Sequence, residues 1–146
     1  PFGGSVTDDL YMENISALLS DNNAEGRVIF AGQISNVQPY FAAGDVFVLF
    51  SRSEGFGIVF IEAMASGLPV VAKEIIGVTD FVLRPEKGSH IVTHASELGS
   101  GMIKALEDSS CEDVRKGLRA YCVSRFSEER VYARYRKMIC EQNFCH

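Results

Sequence analysis

Short, continuous apolar runs that alternate with helical segments are the feature that most constrains this fold. Residues 45–50 (DVFVLF) and 69–72 (PVVA) are rich in β-branched and aromatic residues, and residues 27–31 (RVIFA) resemble them. Runs of this kind are typical of strands that are buried on both faces. A helix is predicted from Ile58 to Ser66, between the two later runs, because Gly67 supplies a stop signal. The alternation predicts an α/β fold, a parallel sheet with helices on both faces.

The remaining segments favour helix, and the C-terminal third is predicted to be helical throughout. A first helix is expected through about Asp21, with Ser5 and Thr7 as candidate caps, and a second from Asn36 to Ala43, ended by Gly44. Beyond Lys73 the pattern predicts a short helix over 78–83, a strand over 90–93, and helices over 95–106, 112–126 and 128–141.

Length and charge exclude several classes of protein. The 146 residues suffice for one domain, and the formal net charge of −5 with a pI near 5.2 argues against a nucleic-acid partner. The longest weakly polar run, residues 55–72, contains Glu62 and Pro69, so no membrane-spanning helix is predicted. We therefore expect a cytoplasmic protein, with peripheral contact to a membrane left open for the full-length protein.

The cysteines give no metal-binding or disulfide pattern. None of the four forms a C-x-x-C pair, which favours reduced thiols in a cytosolic protein. Cys140, Cys145 and His146 could gather a metal, but a terminus that frays is a poor place for a metal site. We expect no metal site and no cofactor.

The segment Ser51 to Gly57 is predicted to be a loop between a strand and the helix that begins at Ile58. In parallel sheets ligands bind outside the carboxyl ends of the strands, where such loops gather. The first backbone N–H groups of a helix lack internal acceptors and bind anions. The candidate donors are the amides of Gly55, Phe56, Gly57, Ile58 and Val59. A loop that turns sharply for its own sake remains the alternative.

Two carboxylates accompany this loop. Glu54 lies within it, and Glu62 lies about one turn into the following helix. Carboxylates accept paired hydrogen bonds from vicinal hydroxyl groups, which suits a ribose or hexose. The alternative for Glu62 is a solvated helix face. Its apolar sequence neighbours favour a largely buried side chain that needs a partner.

These residues resemble the retaining family 4 glycosyltransferases of GT-B fold. Glu54 and Glu62 form an E-x7-E signature, and the resemblance covers roughly residues 3 to 140. The segments that carry it are residues 28–32, 40–48, 54–57, 62–65 and 67–72. The resemblance implies the Rossmann-like C-terminal half of a GT-B fold without its first strands. Residues 1–146 would then be a nucleotide-sugar (donor) binding domain that is truncated at its N-terminus, with the acceptor domain absent.

The resemblance also implies roles for individual residues. Glu54 would be the catalytic carboxylate and would hold the transferred sugar together with the amides of Phe56 and Gly57. The amides of Ile58 and Val59 would face the diphosphate, and Glu62 would bind the ribose hydroxyls. Gln33 and Ile34 would contact the base largely through their backbone. Anomeric configuration is retained in this family, generally without a metal.

The chain also departs from the family pattern. The family carries an Arg and a Lys near its first donor-domain strand, and this chain begins after that point, near Gly3 and Gly4. It also has residues 77–80 (GVTD) where Gly-x-Pro-Glu is common. We therefore expect a donor domain that is inactive alone.

The implied partners are a UDP-, GDP- or ADP-sugar donor and an acceptor glycan, lipid or small molecule bound by the missing N-terminal domain. The alternative function is a stand-alone nucleotide-sugar-binding domain that is inactive or that completes an enzyme with a separate acceptor-domain chain.

Overall fold

The computed structural model describes residues 6–142, with the side chains of residues 10–140 apart from Lys87. The candidate cap Ser5, the Gly3-Gly4 pair and Cys145 with His146 lie outside the described residues. The chain divides into two units, with the boundary between Ser35 and Asn36.

The first unit contains one long helix and no described strand. Helix α1 spans Val6–Asp21, as predicted, and a 3-10 turn follows at Glu25–Arg27. The prediction of a strand over residues 27–31 is wrong, since residues 28–31 form neither helix nor strand and Ile29 is 90% exposed. A strand exists only through its hydrogen-bonded ladder with a neighbour, and no described strand of this unit offers one.

The second unit alternates helices with three parallel strands. Its elements in chain order are α2 (Gln38–Ala43), β1 (Phe47–Leu49), α3 (Ile58–Ala65), β2 (Val70–Lys73), α4 (Thr79–Val82), β3 (Ser89–Val92), α5 (Leu98–Ser109), α6 (Glu112–Phe126) and α7 (Glu128–Gln142). Each corresponds to a predicted element; α6 has the predicted ends, and the ends of the other elements differ by at most three residues.

The sheet has the order β1–β2–β3, and all pairs are parallel. Successive side chains of a strand point to opposite faces, and β2 shows this directly. Val70 and Ala72 belong to a core cluster that includes α3, α4 and α6, whereas Val71 packs with Ala105 of α5. The sheet is therefore covered by helices on both faces, as predicted.

Aromatic rings anchor α2 and α3 to the sheet. Phe47 of β1 contacts Phe41 and Phe60 edge to face, with ring centroids 5.6 and 6.2 Å apart. Phe60 and Met64 of α3 are completely buried. Burial of a large apolar side chain contributes roughly 1.5–3 kcal/mol, so this packing fixes α3 against the sheet. No described helix is long and apolar enough to cross a membrane.

Candidate functional site

The loop from Ser51 to Gly57 connects the end of β1 to the start of α3, as the sequence predicts. Gly57 is the N-cap residue of α3 and has a left-handed backbone, with φ +75° and ψ +37°. A Cβ at this position would lie 2.6 Å from Cδ2 of Phe60 and 3.1 Å from Cγ1 of Val78. Both the backbone conformation and the close packing therefore require glycine here.

The first two amides of α3 are available to a ligand. The N–H of Phe60 donates to the carbonyl of Gly57 over 3.0 Å. Within the described part of the chain, no acceptor bonds the N–H groups of Ile58 and Val59. Ile58 is 62% exposed, whereas Val59 is partly buried and Gly57 is buried, so solvent reaches this helix end on the side of Ile58. The helix dipole adds about half an elementary positive charge at the same place, which favours a bound anion.

The loop itself is shaped by a short internal hydrogen bond. The hydroxyl of Ser51 donates to the carbonyl of Ser53 over 2.8 Å. Glu54 follows as a partly buried residue, and a Cβ at Gly55 would meet nothing within 4 Å. Phe56 is 50% exposed. The backbone between Glu54 and Gly57 is thus accessible to a ligand of some size.

The predicted burial of Glu62 is wrong, because the residue is exposed. An α-helix advances 100° per residue, so Glu62 lies about 200° from Phe60 and from Met64, on the opposite face of α3. Its apolar neighbours in sequence therefore do not surround it. Glu62 lines a cleft of about 560 Å³ between α2, α3 and α6, together with Gln38 and Arg119.

Arg119 closes the far end of α3. Its Nε donates to the carbonyl of Ala65 over 3.2 Å, and its Nη2 donates to the carbonyl of Ser66 over 3.0 Å. The last carbonyls of a helix have no internal partner, and a cation near them is favourable. This arginine was not singled out by its sequence context.

The two residues predicted to contact the base belong to the first structural unit, unlike the other predicted site residues. Gln33 is exposed and Ile34 partly buried, and both lie in the irregular end of the first unit. The remaining predicted residues all belong to the second unit, where one loop and one helix carry them.

Two further residues are connected to the loop: Phe81 of α4 contacts it directly, and Arg125 of α6 contacts it through Phe81. Phe81 contacts Phe56, and Arg125 contacts Phe81. Leu118, Cys122 and Arg125 recur at helical spacing, so an arginine continues an otherwise buried stripe of α6. A charged residue at a position where helical spacing predicts a buried one is the sequence signal that could have identified Arg125.

Other polar side chains near the sheet have structural partners. Nζ of Lys73 lies 5.6 Å from the ring centroid of Phe50, and Nε2 of His90 lies 2.8 Å from Oδ2 of Asp108. No group of three potential metal ligands occurs among the described residues.

Glu97 is held by the turn that precedes α5. Its carboxylate accepts hydrogen bonds from the backbone N–H of Thr93 and of His94, and from the Thr93 hydroxyl. Hydrogen bonds to the charged form, led by that from the Thr93 backbone, lower the pKa of Glu97 below its usual value.

A larger cavity, about 660 Å³, lies between α6 and α7 and is lined by Lys116, Val123 and Arg130 among others. It is an open surface groove, and the loop residues 51–57 do not line it. The two unbonded amides favour the start of α3 as the candidate site instead.

Comparison with known proteins gives one matching family profile, described as "Glycosyl transferases group 1", over residues 4–108. The lipopolysaccharide core biosynthesis glycosyltransferase LpsE of Rhizobium meliloti is 30% identical over 135 residues. That alignment covers 89% of this chain and 39% of LpsE, so the chain spans well under half of this relative.

Solved structures give the same result for the fold. Sucrose-phosphate synthase from Thermosynechococcus elongatus superposes with a TM-score of 0.71 at 30% identity, covering 88% of this chain and 34% of that one. Anabaena HepE in complex with UDP superposes with a TM-score of 0.79 at 21% identity, covering 94% of this chain and 38% of that one. The predicted Rossmann-like α/β fold of GT-B type is confirmed.

Proposed function

The chain belongs to the glycosyl transferases group 1 family, and we propose that it is the donor-binding domain of a retaining family 4 glycosyltransferase. Its ligand is a nucleoside-diphosphate sugar with uridine, guanosine or adenosine as the base. The observation that carries the proposal is the start of α3, where the left-handed Gly57 is followed by two amides that no described acceptor bonds. Binding of UDP by HepE, a protein of the same fold, supports it.

The diphosphate is assigned to the amides of Ile58 and Val59. These donors belong to the backbone and are fixed by the burial of Phe60 and Met64 one turn later. When the sugar leaves, negative charge grows on the diphosphate, and preorganised donors stabilise that charge. The loss of one such donor typically costs about 3 kcal/mol of transition-state stabilisation, which sets the scale of their contribution.

The sugars of the donor are assigned to carboxylates and loop amides. Glu62 would accept hydrogen bonds from the ribose hydroxyls, for which its exposed position in the cleft leaves room. Glu54, as the catalytic carboxylate, would hold the transferred sugar with the amides of Phe56 and Gly57. Gln33 and Ile34 would contact the base through their backbone.

For the acceptor and the cellular location, the proposal names only broad classes. We assign the acceptor to a glycan, a lipid or a small molecule that binds residues outside this chain. The name of LpsE, which refers to lipopolysaccharide core, supports an acceptor of the first two kinds. We also propose that the full-length protein works in the cytoplasm, in peripheral contact with a membrane.

A nucleotide panel tests the proposal. UDP, GDP and ADP and their sugar conjugates are each added to the protein while thermal unfolding is followed. A ligand at 100 times its Kd stabilises the native state by about 2.7 kcal/mol, and a domain of this size then melts about 5–10 °C higher. At least one nucleotide should give such a shift. A full panel without any shift contradicts the proposal, while binding without transfer by the full-length protein indicates a binding-only domain.

Substitution of the two carboxylates is expected to affect different steps, nucleotide binding for Glu62 and sugar transfer for Glu54. Glu62→Ala removes charge-assisted hydrogen bonds to ribose and should raise the Kd of the nucleotide about 10- to 100-fold. Glu54→Ala should leave that Kd within about threefold and slow sugar transfer by the full-length protein about 100-fold. Calorimetry and a transfer assay measure the two effects.

A matched control removes an exposed helical carboxylate elsewhere. Glu107→Ala, in α5, should change neither the nucleotide Kd nor the transfer rate. Unchanged affinity in Glu62→Ala together with an unchanged rate in Glu54→Ala would refute the site assignment.

A further inference from the structure

Helix α6 holds the C-terminal end of α4 through two side chains spaced four residues apart. The hydroxyl of Tyr121 donates to the carbonyl of Val82 over 3.0 Å, and Nη2 of Arg125 donates to the carbonyl of Phe81 over 3.3 Å. Helix α4 has only four residues, so its last carbonyls depend on partners of this kind. Tyr121 thus holds Val82, whereas Arg125 holds Phe81 itself.

Phe81 in turn contacts the loop. Its ring centroid lies 6.1 Å from that of Phe56, and the two ring planes make an angle of 58°. Rings at this separation attract one another beyond their area of contact. Both rings are roughly half exposed, at 43% for Phe81 and 50% for Phe56, so the contact lies at the surface beside the candidate donor site. Phe56 is the one large side chain of the loop between Glu54 and Gly57.

The guanidinium of Arg125 completes a stack of three groups. Its Cζ lies 4.7 Å from the ring centroid of Phe81 and 5.6 Å from that of Phe126. A guanidinium over an aromatic face is held by cation–π attraction and by its planar shape. The stack therefore runs from α6 through α4 to the loop, in the order Arg125, Phe81, Phe56.

One atom of this arginine has no hydrogen-bond partner. Nε of Arg125 is buried and unpaired among the described residues. A buried donor without an acceptor reduces stability, so hydrogen bonding alone does not explain this placement of the guanidinium. The aromatic contacts do explain it, because they hold the guanidinium near the rings of Phe81 and Phe126.

We propose that Arg125 is a positioning residue for the donor loop. It acts through Phe81, which holds Phe56 and with it the backbone amides of Phe56 and Gly57. The contacts that lead from α6 through Phe81 to the loop are formed by the protein alone. The proposal rests on the proposed function only for the identity of the ligand that the loop binds. Loss of the stack should leave the fold intact and make the loop more mobile.

Hydrogen exchange measured by mass spectrometry tests this without a ligand. In Arg125→Met, which keeps a long side chain but removes the charge, the hydrogen-bonded amides within residues 51–60, those of Ser53 and Phe60, should exchange at least about fivefold faster. The variant loses both the cation–π contact with the Phe81 ring and the hydrogen bond to the Phe81 carbonyl. Arg125→Lys keeps the charge over the ring and should restore part of the protection. Phe81→Leu removes the middle of the stack at an exposed position and provides a second variant if Arg125→Met does not fold.

The matched control is Tyr121→Phe. It removes the neighbouring hydrogen bond to α4 and leaves all three members of the stack in place. Exchange of the loop peptide should stay at the wild-type rate in this variant. The proposal is overturned if Tyr121→Phe accelerates the loop as much as Arg125→Met does, or if both Arg125→Met and Phe81→Leu leave the loop unchanged.

A ligand experiment then separates this role from general destabilisation. With a nucleotide that shifts the melting temperature, the ratio of the Kd of the free nucleotide to that of its sugar conjugate measures what the sugar adds. Arg125→Met should lower this ratio about fivefold, the size of one cation–π contact, with Arg125→Lys in between. A ratio equal to that of the wild type in both variants would overturn the role in donor binding. If no nucleotide binds, the proposed function fails and the exchange experiment still decides the role of Arg125.

Discussion

Replacement of Gly57 by alanine combines two costs that the structure allows to be estimated separately. The residue has φ +75°, a conformation that costs an L-residue about 1–2 kcal/mol relative to the right-handed region. The new methyl group would also lie 2.6 Å from Cδ2 of Phe60, which is completely buried and cannot move freely. Overpacking of this kind typically costs about 1–3 kcal/mol. Gly57→Ala should therefore destabilise the protein by about 2–5 kcal/mol.

Two other glycines allow the costs to be measured apart. A Cβ at Gly77 meets no atom within 4 Å, but the backbone there has φ +85°, so Gly77→Ala should show the conformational cost alone. Gly55 has open space and no positive φ, and Gly55→Ala should change stability by less than about 0.5 kcal/mol. Urea unfolding followed by far-UV circular dichroism measures all three free energies of unfolding.

The expected order of destabilisation is Gly57→Ala, then Gly77→Ala, then Gly55→Ala. In a domain of this size the first variant should melt about 6–15 °C below the wild type. Equal effects in Gly57→Ala and Gly77→Ala would refute the packing argument, because Phe60 and Val78 would then yield without cost. A Gly57→Ala variant as stable as Gly55→Ala would refute the left-handed backbone as well.

Three further predictions concern the core and the surface. Burial raises the pKa of the Cys122 thiol to about 11, so Cys122 should resist iodoacetamide at mildly alkaline pH while the exposed Cys111 reacts, and peptide mass spectrometry should find modification at both only after unfolding. The backbone N–H of Thr93 holds the pKa of Glu97 below its usual 4.5, so this carboxylate stabilises the protein above that pH and the contribution is lost as the pH falls through the lowered pKa. Glu97→Gln should therefore lower the melting temperature at neutral pH and approach the wild type in acid, whereas a constant difference would contradict the assignment. Leu118→Ala should cost about 2–5 kcal/mol in urea unfolding, since Leu118 is fully buried, and a loss well below about 2 kcal/mol, the low end for such truncations, would mean that the core refills the space.

The strands and the helix around the candidate site could be predicted because local sequence determines them. The run at 45–50 contains β1, the run at 69–72 overlaps β2 in all but its last residue, and the stop at Gly67 follows the end of α3. The position of the loop 51–57 between a strand and a helix could be predicted from this alternation of strand and helix alone.

The wrong or missing predictions have a different origin, because they depend on spatial contacts that adjacent residues in the sequence do not reveal. Residues 27–31 have strand composition, but a strand forms only with a partner, and none is described in their unit. The exposure of Glu62 depends on the residues three and four positions away, which share its helix face, and not on its adjacent residues in sequence. The contact between Arg125 and Phe81 joins residues 44 positions apart, and no local pattern records it.

The two open N–H groups at the start of α3 belong to the main chain, and this affects how the site can change over generations. Every residue except proline supplies the same donor, so substitutions at Ile58 and Val59 can alter shape and polarity without removing it. Ile58 is already mostly exposed and places little demand on packing. The anion binding proposed for this helix would thus persist through substitutions at these positions, while changes in the surrounding side chains would alter the proposed preference for base or sugar.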